Sequence, residues 1–370
     1  MRAHTDQQRM LADAARQFAQ KCCTSTRLRG CRDRIPDHDP AVWSQMADLG
    51  WLSLLVPEAD GGLGGGLSEM GQLAYEWGAA CGPEPLIATG VLATRLAVLG
   101  EGSARSDLLA RVMAGKALPA VAWLDGDAKC VRSGAGWKLT GRARFSTPAD
   151  ADGFLIVAAA AGAESVPVLH VPEPTAGVTV TRERRADGSA SALVVLEDVV
   201  APAQAIVVQA ANAAASAESA RDMALVMAAV SMAGTMRAIN AMTQEYLRTR
   251  VQFGKAIGSF QALQHKAVDM HIAEQLARDV AQNACARIDA GCSPDERACL
   301  ASRAKARAGE SLDHIARTAV QLHGAIGFTD EYDLSLHLNR ALTMSAWLGN
   351  SEEHVWRYAR HAPPFEAANA

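Results

Sequence analysis

Arg250 ends one long helical pattern, and Val251-Gln252-Phe253-Gly254-Lys255 then turns the chain through Phe260-Gln261 and Gln264-His265 into another. A planar guanidinium clamps a diphosphate with two parallel hydrogen bonds, a task lysine performs less well. An arginine at a helix C-terminus also complements the helix dipole, so residue type and position leave both roles open. Eight cysteines, at 22, 23, 31, 81, 130, 285, 292 and 299, are the other reactive set. They form no CxxC pair and accompany no cluster of histidines. They are expected to be reduced, buried thiols of a cytoplasmic protein that binds no metal.

Three zones must position these residues. Up to residue 117 the pattern is helical, and Leu11, Ala14, Ala15, Phe18 and Ala19 draw one stripe on a helix. Further helices are expected over 40–50, 67–81, 85–99 and 104–114, punctuated by Pro57 with Gly61, Gly62, Gly64, Gly65 and Gly66, and by Gly82-Pro83-Glu84-Pro85. From 118 to 208, β-favouring runs such as Trp137–Thr140, Phe154–Val157, Val166–Val171, Val178–Thr181 and Leu193–Leu196 alternate with turn chemistry. They predict a small barrel or sandwich. The helical period then returns in segments near 215–249, 259–290, 295–323 and 332–362, which short connections fold into an antiparallel bundle. The expected fold class is α+β multidomain: an N-terminal helical domain over 1–117, a middle β domain over 118–208 and a C-terminal four-helix bundle over 209–370.

Composition narrows the function. The 370 residues are 49% apolar and 21% charged, with a formal net charge of −4 and no basic block. That balance argues against nucleic acid or an anionic membrane as partner. The N-terminus lacks the apolar core of a signal peptide, and no apolar run is expected to reach the ~20 residues of a membrane span.

Four motifs in order carry a resemblance. They are Leu49-Gly50 with Pro57-Glu58 and Gly61-Gly62-Leu63-Gly64; Gly136-Trp137-Lys138-Leu139-Thr140-Gly141 with Phe145-Ser146-Thr147; Arg250 with Phe253-Gly254-Lys255; and Gln321-Leu322-His323-Gly324-Ala325-Ile326-Gly327-Phe328 with Glu331-Tyr332. Together they resemble the flavin-dependent acyl-CoA dehydrogenases over essentially the whole chain. The resemblance implies the same three-part fold, with FAD held between the β domain of one subunit and the bundle of its neighbour. It implies that Phe145 and Thr147 pack on and hydrogen-bond to the isoalloxazine ring. Arg250, Phe253, Gln261, Gln321 and Gly324 match positions that reach the neighbour's flavin and its pyrophosphate. Read alone, Phe145 is equally a core aromatic, Thr147 a turn residue before Pro148 and Gln321 a polar helix end. Two departures stand out: Val121–Asp127 replaces the family's Thr-Glu-Pro…Gly-Ser-Asp stretch, and Ala325 replaces a usual second glycine.

Dehydrogenation of an acyl thioester takes a proton from the α carbon while a hydride leaves the β carbon for flavin, so a carboxylate must lie over a weakly acidic proton. The family's glutamate lies nine residues beyond an arginine of the last hairpin, or on the first long bundle helix. Counting on from Arg340 gives Gly349, and counting 22 back from Tyr246 gives Ala224. Neither accepts a proton. Asp222 and Glu218 lie about 200° and 240° round a helix from Ala224. Glu352 and Glu353 fall one turn above Gly349, where their charge also suits the start of a last helix.

Some bacterial members acting on steroid side chains or other bulky acyl-CoAs are heterotetramers in which one kind of subunit carries the glutamate. Gly82-Pro83-Glu84-Pro85-Leu86 and Leu348-Gly349…His354 resemble that group. The expected function is an FAD-dependent acyl-CoA dehydrogenase subunit of fatty acid or steroid side-chain catabolism. It belongs to a homo- or hetero-oligomer, a dimer of dimers, with a glutamate-bearing paralogue and an electron-transferring flavoprotein as partners. The alternatives are a self-sufficient dehydrogenase with a displaced base at Glu352, Glu353 or Asp222, a non-catalytic flavin or acyl-CoA binder, and an oxygen-dependent flavin reaction. Small residues at Gly78, Ala79, Ala80, Gly82, Ala228, Ala229, Ser231, Ala233 and Gly234 permit a wide acyl groove or close helix packing equally.

Overall fold

The structure, a computed structural model, describes residues 5–32, 34–158 and 165–363; positions 364–370 of the expected bundle lie outside them. Helices α1 (Asp6–Cys22), α2 (Ser25–Cys31), α3 (Pro40–Asp48), α4 (Leu67–Ala79), α5 (Thr94–Val98) and α6 (Arg105–Met113) come first. Strands β1 (Pro119–Trp123), β2 (Lys129–Ser133), β3 (Gly136–Ser146), β4 (Gly153–Val157), β5 (Val168–Pro172), β6 (Val178–Arg184), β7 (Ala190–Ala201) and β8 (Ile206–Val208) follow. Helix α7 (Ala210–Thr249), the short strands β9 (Val251–Gln252) and β10 (Lys255–Ala256), and helices α8 (Gln261–Asp289), α9 (Pro294–His323), α10 (Leu334–Ala346) and α11 (Ser351–His361) complete the order. Helical, then β, then helical is the order expected for the acyl-CoA dehydrogenase fold.

Two expected helices differ in detail. The 85–99 segment is a π-helical turn, Ala88–Ala93, running into α5. The 332–362 segment is α10 and α11, broken by a turn in which Leu348 and Gly349 take φ of 60° and 107°. Asn350 caps α11, its side chain accepting the Glu353 N–H at 2.9 Å. Asn350 followed three residues on by Glu353 is a helix-start signal that cuts the apolar period. The expectation that no apolar run is long enough to span a membrane also needs correction. An 18-residue window of α7 has mean hydropathy 1.3, but 83% of it is buried inside the protein, as in a core helix.

The chain forms two compact units, one from Met1–Arg29, Leu67–Gly82 and Leu225–Ala370, the other from Gly30–Gly66 and Pro83–Ala224. In the second, β1, β4, β5 and β8 form one sheet in the order β1-β4-β5-β8, and β2-β3-β7-β6 form another. Their inner faces share one core, with Ala120, Phe154, Ile156 and Val171 from the first sheet and Trp137, Leu139, Val194 and Leu196 from the second. This is a sandwich rather than a barrel, because two separate ladders face each other.

The helical unit is assembled around α4 and α7. A Cβ on Gly78 would lie 2.2 Å from the Ser231 carbonyl oxygen, and one on Gly234 would lie 2.0 Å from that of Tyr75. Thr235 Oγ1 donates to the Gly78 carbonyl at 3.0 Å across this contact. Gly82 is equally crowded, its absent Cβ 2.0 Å from the Trp77 ring. These three glycines therefore serve close packing, not a wide groove. About half a turn from Gly78, the buried Glu76 carboxylate accepts hydrogen bonds from Arg16 of α1 at 2.9 Å and from Arg237 of α7 at 3.1 and 2.5 Å. Asp289, at the end of α8, accepts the Leu67 and Ser68 N–H groups at 2.7 and 2.8 Å, capping α4 from another helix.

Helix α9 holds the α10–α11 turn. Lys305 is fully buried, and its ammonium donates to the carbonyls of Ser345 at 3.0 Å and Gly349 at 2.8 Å. Gly309 lets α11 approach so closely that a Cβ would meet Ser351 Oγ at 2.2 Å. Burial pulls Lys305 down to about 8, an effect the Glu353 carboxylate only partly offsets.

Two outcomes follow for stability. Gly234→Ala should lower the denaturant midpoint by an amount worth about 1–3 kcal/mol, since backbone must move. Gly30→Ala on α2, where a Cβ meets nothing within 4 Å, should not. Between pH ~8 and ~10.5 the unfolded chain holds the Lys305 proton and the folded chain has lost it, so stability from this residue rises with pH. Wild type should gain up to about 3 kcal/mol on Lys305→Met across that window. A pH-independent difference between the two would contradict the buried-ammonium reading.

Candidate functional site

Phe145 lies at a β-bulge near the end of β3: pairing with β7 shifts between Ala143 and Ser146, so Arg144 and Phe145 leave the ladder. Such an irregularity re-aims a side chain. Phe145 takes φ 59° and is 66% exposed, which removes its reading as a core aromatic. Thr147 is buried just beyond it. A bulky residue in left-handed backbone costs of order 1–3 kcal/mol and is held there only by its surroundings.

The helical unit repeats the feature. Strands β9 and β10 form a two-residue hairpin whose turn, Phe253-Gly254, has φ of 54° and 77°. Both central residues of such a turn need positive φ, which glycine meets freely and phenylalanine does not. Phe253 is nevertheless 90% exposed, touching Phe260 edge-on at 6.1 Å. Lys255 Nζ lies 4.3 Å over the Phe260 ring.

Tyr246, one turn before Arg250, stacks on His323 at 4.5 Å, and His323 meets Tyr332 at 5.2 Å. These rings fasten the end of α7 to the end of α9. Arg250, Gln321 and Gly324 are thereby brought to one end of the helical unit, all exposed. Gly324 closes α9 with φ 64°, and nothing lies within 4 Å of where its Cβ would be. Gln261, the first residue of α8, is exposed as well, as is Ala325. Phe328 is 78% exposed at the same end, and Val268, Ile272 and Leu276 lay a half-exposed apolar stripe along α8.

The turn that the count from Arg340 reaches carries no acid: Gly349 lies between Leu348 and Asn350, so a slip of one residue either way finds none. A Cβ at Gly349 would nevertheless sit 3.0 Å from Glu353 Oε2 and 3.0 Å from His354 Nε2. Glu353 is exposed in the first turn of α11, beside Glu352. Ala224 is fully buried on α7, Asp222 is buried two residues before it, and Glu218 is exposed and 3.7 Å from Arg221. Lys305 was missed from sequence, although a lysine among Ala301, Ala304, Ala308 and Leu312 on an apolar helix face is itself a signal.

Two models of one family match the chain: the acyl-CoA dehydrogenase N-terminal domain over residues 5–116 and the acyl-CoA dehydrogenase C-terminal domain over 214–362. The acyl-CoA dehydrogenase IpdE2 of Mycobacterium tuberculosis is 27% identical over 337 residues, covering 91% of each chain. The solved Tcur3481-Tcur3483 steroid ACAD is 25% identical with a TM-score of 0.87, covering 98% of this chain and 99% of its own. The ChsE4-ChsE5 complex from Mycobacterium tuberculosis, at 24% identity and TM-score 0.88, covers 100% of this chain and 99% of its own and shares the fold. With both terminal domain models matched in order and the fold shared end to end, the chain is a member of the acyl-CoA dehydrogenase family.

Proposed function

We propose that this chain is a cytoplasmic subunit of an FAD-dependent acyl-CoA dehydrogenase acting on a bulky, steroid-type acyl-CoA, and that a paralogous subunit supplies the glutamate. One observation carries the reading: Phe145, Thr147, Arg250, Phe253, Gln261, Gln321 and Gly324 match positions that the resemblance assigns to flavin, whereas Gly349 and Ala224 leave both usual base positions without a carboxylate. The residues fit the cofactor. Phe145 and Phe253 expose flat rings from strained backbone, Arg250 exposes a guanidinium, and Gly324 opens onto free space.

FAD, when bound, accepts the hydride from the substrate β carbon. Arg250 would grip the pyrophosphate of a neighbouring subunit's FAD as a bidentate donor, Gln321 and Gly324 would approach that pyrophosphate beside Arg250, and Gln261 and Phe253 would flank it. Phe145 would cover the ring of the FAD on this chain's own β domain and Thr147 hydrogen-bond to it. The α10–α11 turn, pinned by Lys305, would close the wall over the acyl α carbon.

A dimer of dimers with a second kind of chain is supported by the apolar stripe of α8 and by Phe328, since each needs a partner to leave water. The steroid-type substrate rests on the name of the solved Tcur3481-Tcur3483 relative, and the reducing compartment on eight cysteines that form no CxxC pair. Electrons would pass to an electron-transferring flavoprotein. A second reading is favoured by one contact: the Glu353 carboxylate reaches the place where a residue-349 side chain would begin, so it can act as a displaced base in this chain alone.

Anaerobic titration with a steroid-type acyl-CoA separates the two. Under the partner reading the purified chain shows no bleaching of flavin, and turnover appears on mixing with a glutamate-bearing paralogue. Bleaching by the chain alone, lost by roughly 10²–10⁴-fold in Glu353→Gln, would establish the displaced base instead. Arg250→Lys should weaken FAD retention in the assembled complex by about tenfold or more, because one ammonium cannot replace a two-pronged donor.

A further inference from the structure

A cluster in the β-containing unit plays no part in the reaction above. Asp37 and His38 lie in the loop before α3, and Asp150 follows Thr147 by three residues. His38 is 3% exposed, Asp37 is 8% exposed, and the Asp150 side chain is 16% exposed. One ligand atom from each of Asp37, His38 and Asp150 lies within 4.8 Å of the other two.

The separations decide what these atoms are doing. His38 Nδ1 is 3.6 Å from Asp150 Oδ2 and 3.8 Å from Asp37 Oδ1. A direct N–H···O hydrogen bond needs ~2.7–3.2 Å, and a bridging water would hold its two partners about 4.5 Å apart. Two ligands on a metal at ~2.0–2.2 Å stand roughly 3.4–4 Å apart. His38 Nδ1 and Asp150 Oδ1 are buried with no hydrogen-bond partner among the described residues. The other oxygen of Asp37 is already fixed, accepting the Ala190 N–H at 2.6 Å. That hydrogen bond orients the carboxylate as an outer contact orients a metal ligand.

Charge points the same way. Glu84 is 2% exposed, adds its field at His38 and accepts the Asp39 N–H at 3.1 Å. Two buried carboxylates and a half-buried one thus surround one imidazole. The nearby cation is Arg182, whose Nε donates to the Ala149 carbonyl and whose guanidinium is 3.8 Å from Glu173.

We propose that Asp37, His38 and Asp150 bind one divalent transition-metal ion of the zinc class. An imidazole with two carboxylates suits zinc or its first-row neighbours. Magnesium and calcium favour all-oxygen shells, and calcium needs 6–8 ligands. The ion would tie the loop before α3 to the chain just beyond Phe145 and Thr147, bracing the end of β3 from behind.

The test uses the full purified chain, stripped with a chelator and titrated with Zn²⁺ by calorimetry. One equivalent should bind and raise Tm by several degrees. Asp150→Asn and His38→Gln should each weaken that equivalent at least tenfold. Co²⁺ in place of Zn²⁺ reports the ligands without any variant. A visible spectrum lacking thiolate charge transfer is expected, and a thiolate band would assign the metal to cysteines and overturn the site. So would absence of a bound equivalent in wild type, or its undiminished retention in both variants.

Discussion

A carboxylate removed from water must be neutralised where it lies, and the helical unit is organised by that requirement at Glu76. Burial alone would raise its pKa, but hydrogen bonds from Arg237 and Arg16 outweigh burial and hold it below the usual carboxylate range. Losing both arginines would leave this charge buried and unpaired, at a cost of about 3–5 kcal/mol. The three residues come from α4, α1 and α7, so this interaction fixes where those helices meet. It works only because Gly78 and Gly234 let α4 and α7 touch backbone to backbone half a turn away. Tyr75, whose carbonyl faces Gly234, carries the guanidinium of Arg237 4.7 Å from its ring centre, and that of Arg278 5.0 Å from it. Charge, ring and glycine contact therefore determine one another.

The same logic reappears at the α10–α11 turn, with its sign reversed. A buried ammonium, Lys305, is spent on two backbone carbonyls, Ser345 and Gly349. Buried carbonyls are satisfied more often by backbone N–H groups. A lysine is needed here because Leu348 and Gly349, with positive φ, turn the chain out of α10 before α11 begins. Gly309 adds the close approach that seats Ser351. The turn is thus held by a buried ammonium and a close helix contact while carrying glycine at its centre.

Periodicity and punctuation made the element order legible. The capping box at Thr5 and Gln8, Pro40 after Asp39, and Pro294 after Ser293 all mark helix starts that the structure contains. The α10–α11 break was written in Asn350 and Glu353 but hidden by an apolar period that runs through it. What sequence does not display is contact at a distance. Whether Gly78 widens a groove or lets Ser231 approach depends on a residue 153 positions away. Asp37 and His38 show no cluster in the sequence because their third member, Asp150, arrives only through the fold.

Phe145 and Phe253 link these observations to function. Each is a large apolar side chain, exposed, in a backbone region that its Cβ disfavours, one at a strand bulge and the other in a hairpin turn. Within an isolated chain exposure forgoes burial worth roughly 1.5–3 kcal/mol and the backbone adds strain, against which Phe253 sets its edge contact with Phe260. Strain of this kind persists where a ligand or a neighbour recovers it. The resemblance implies that Phe145 packs on an isoalloxazine ring and that Phe253, with the exposed Arg250 and Gly324, reaches a neighbouring subunit's flavin. On that reading a cofactor and a neighbour would recover costs that the isolated fold leaves in place.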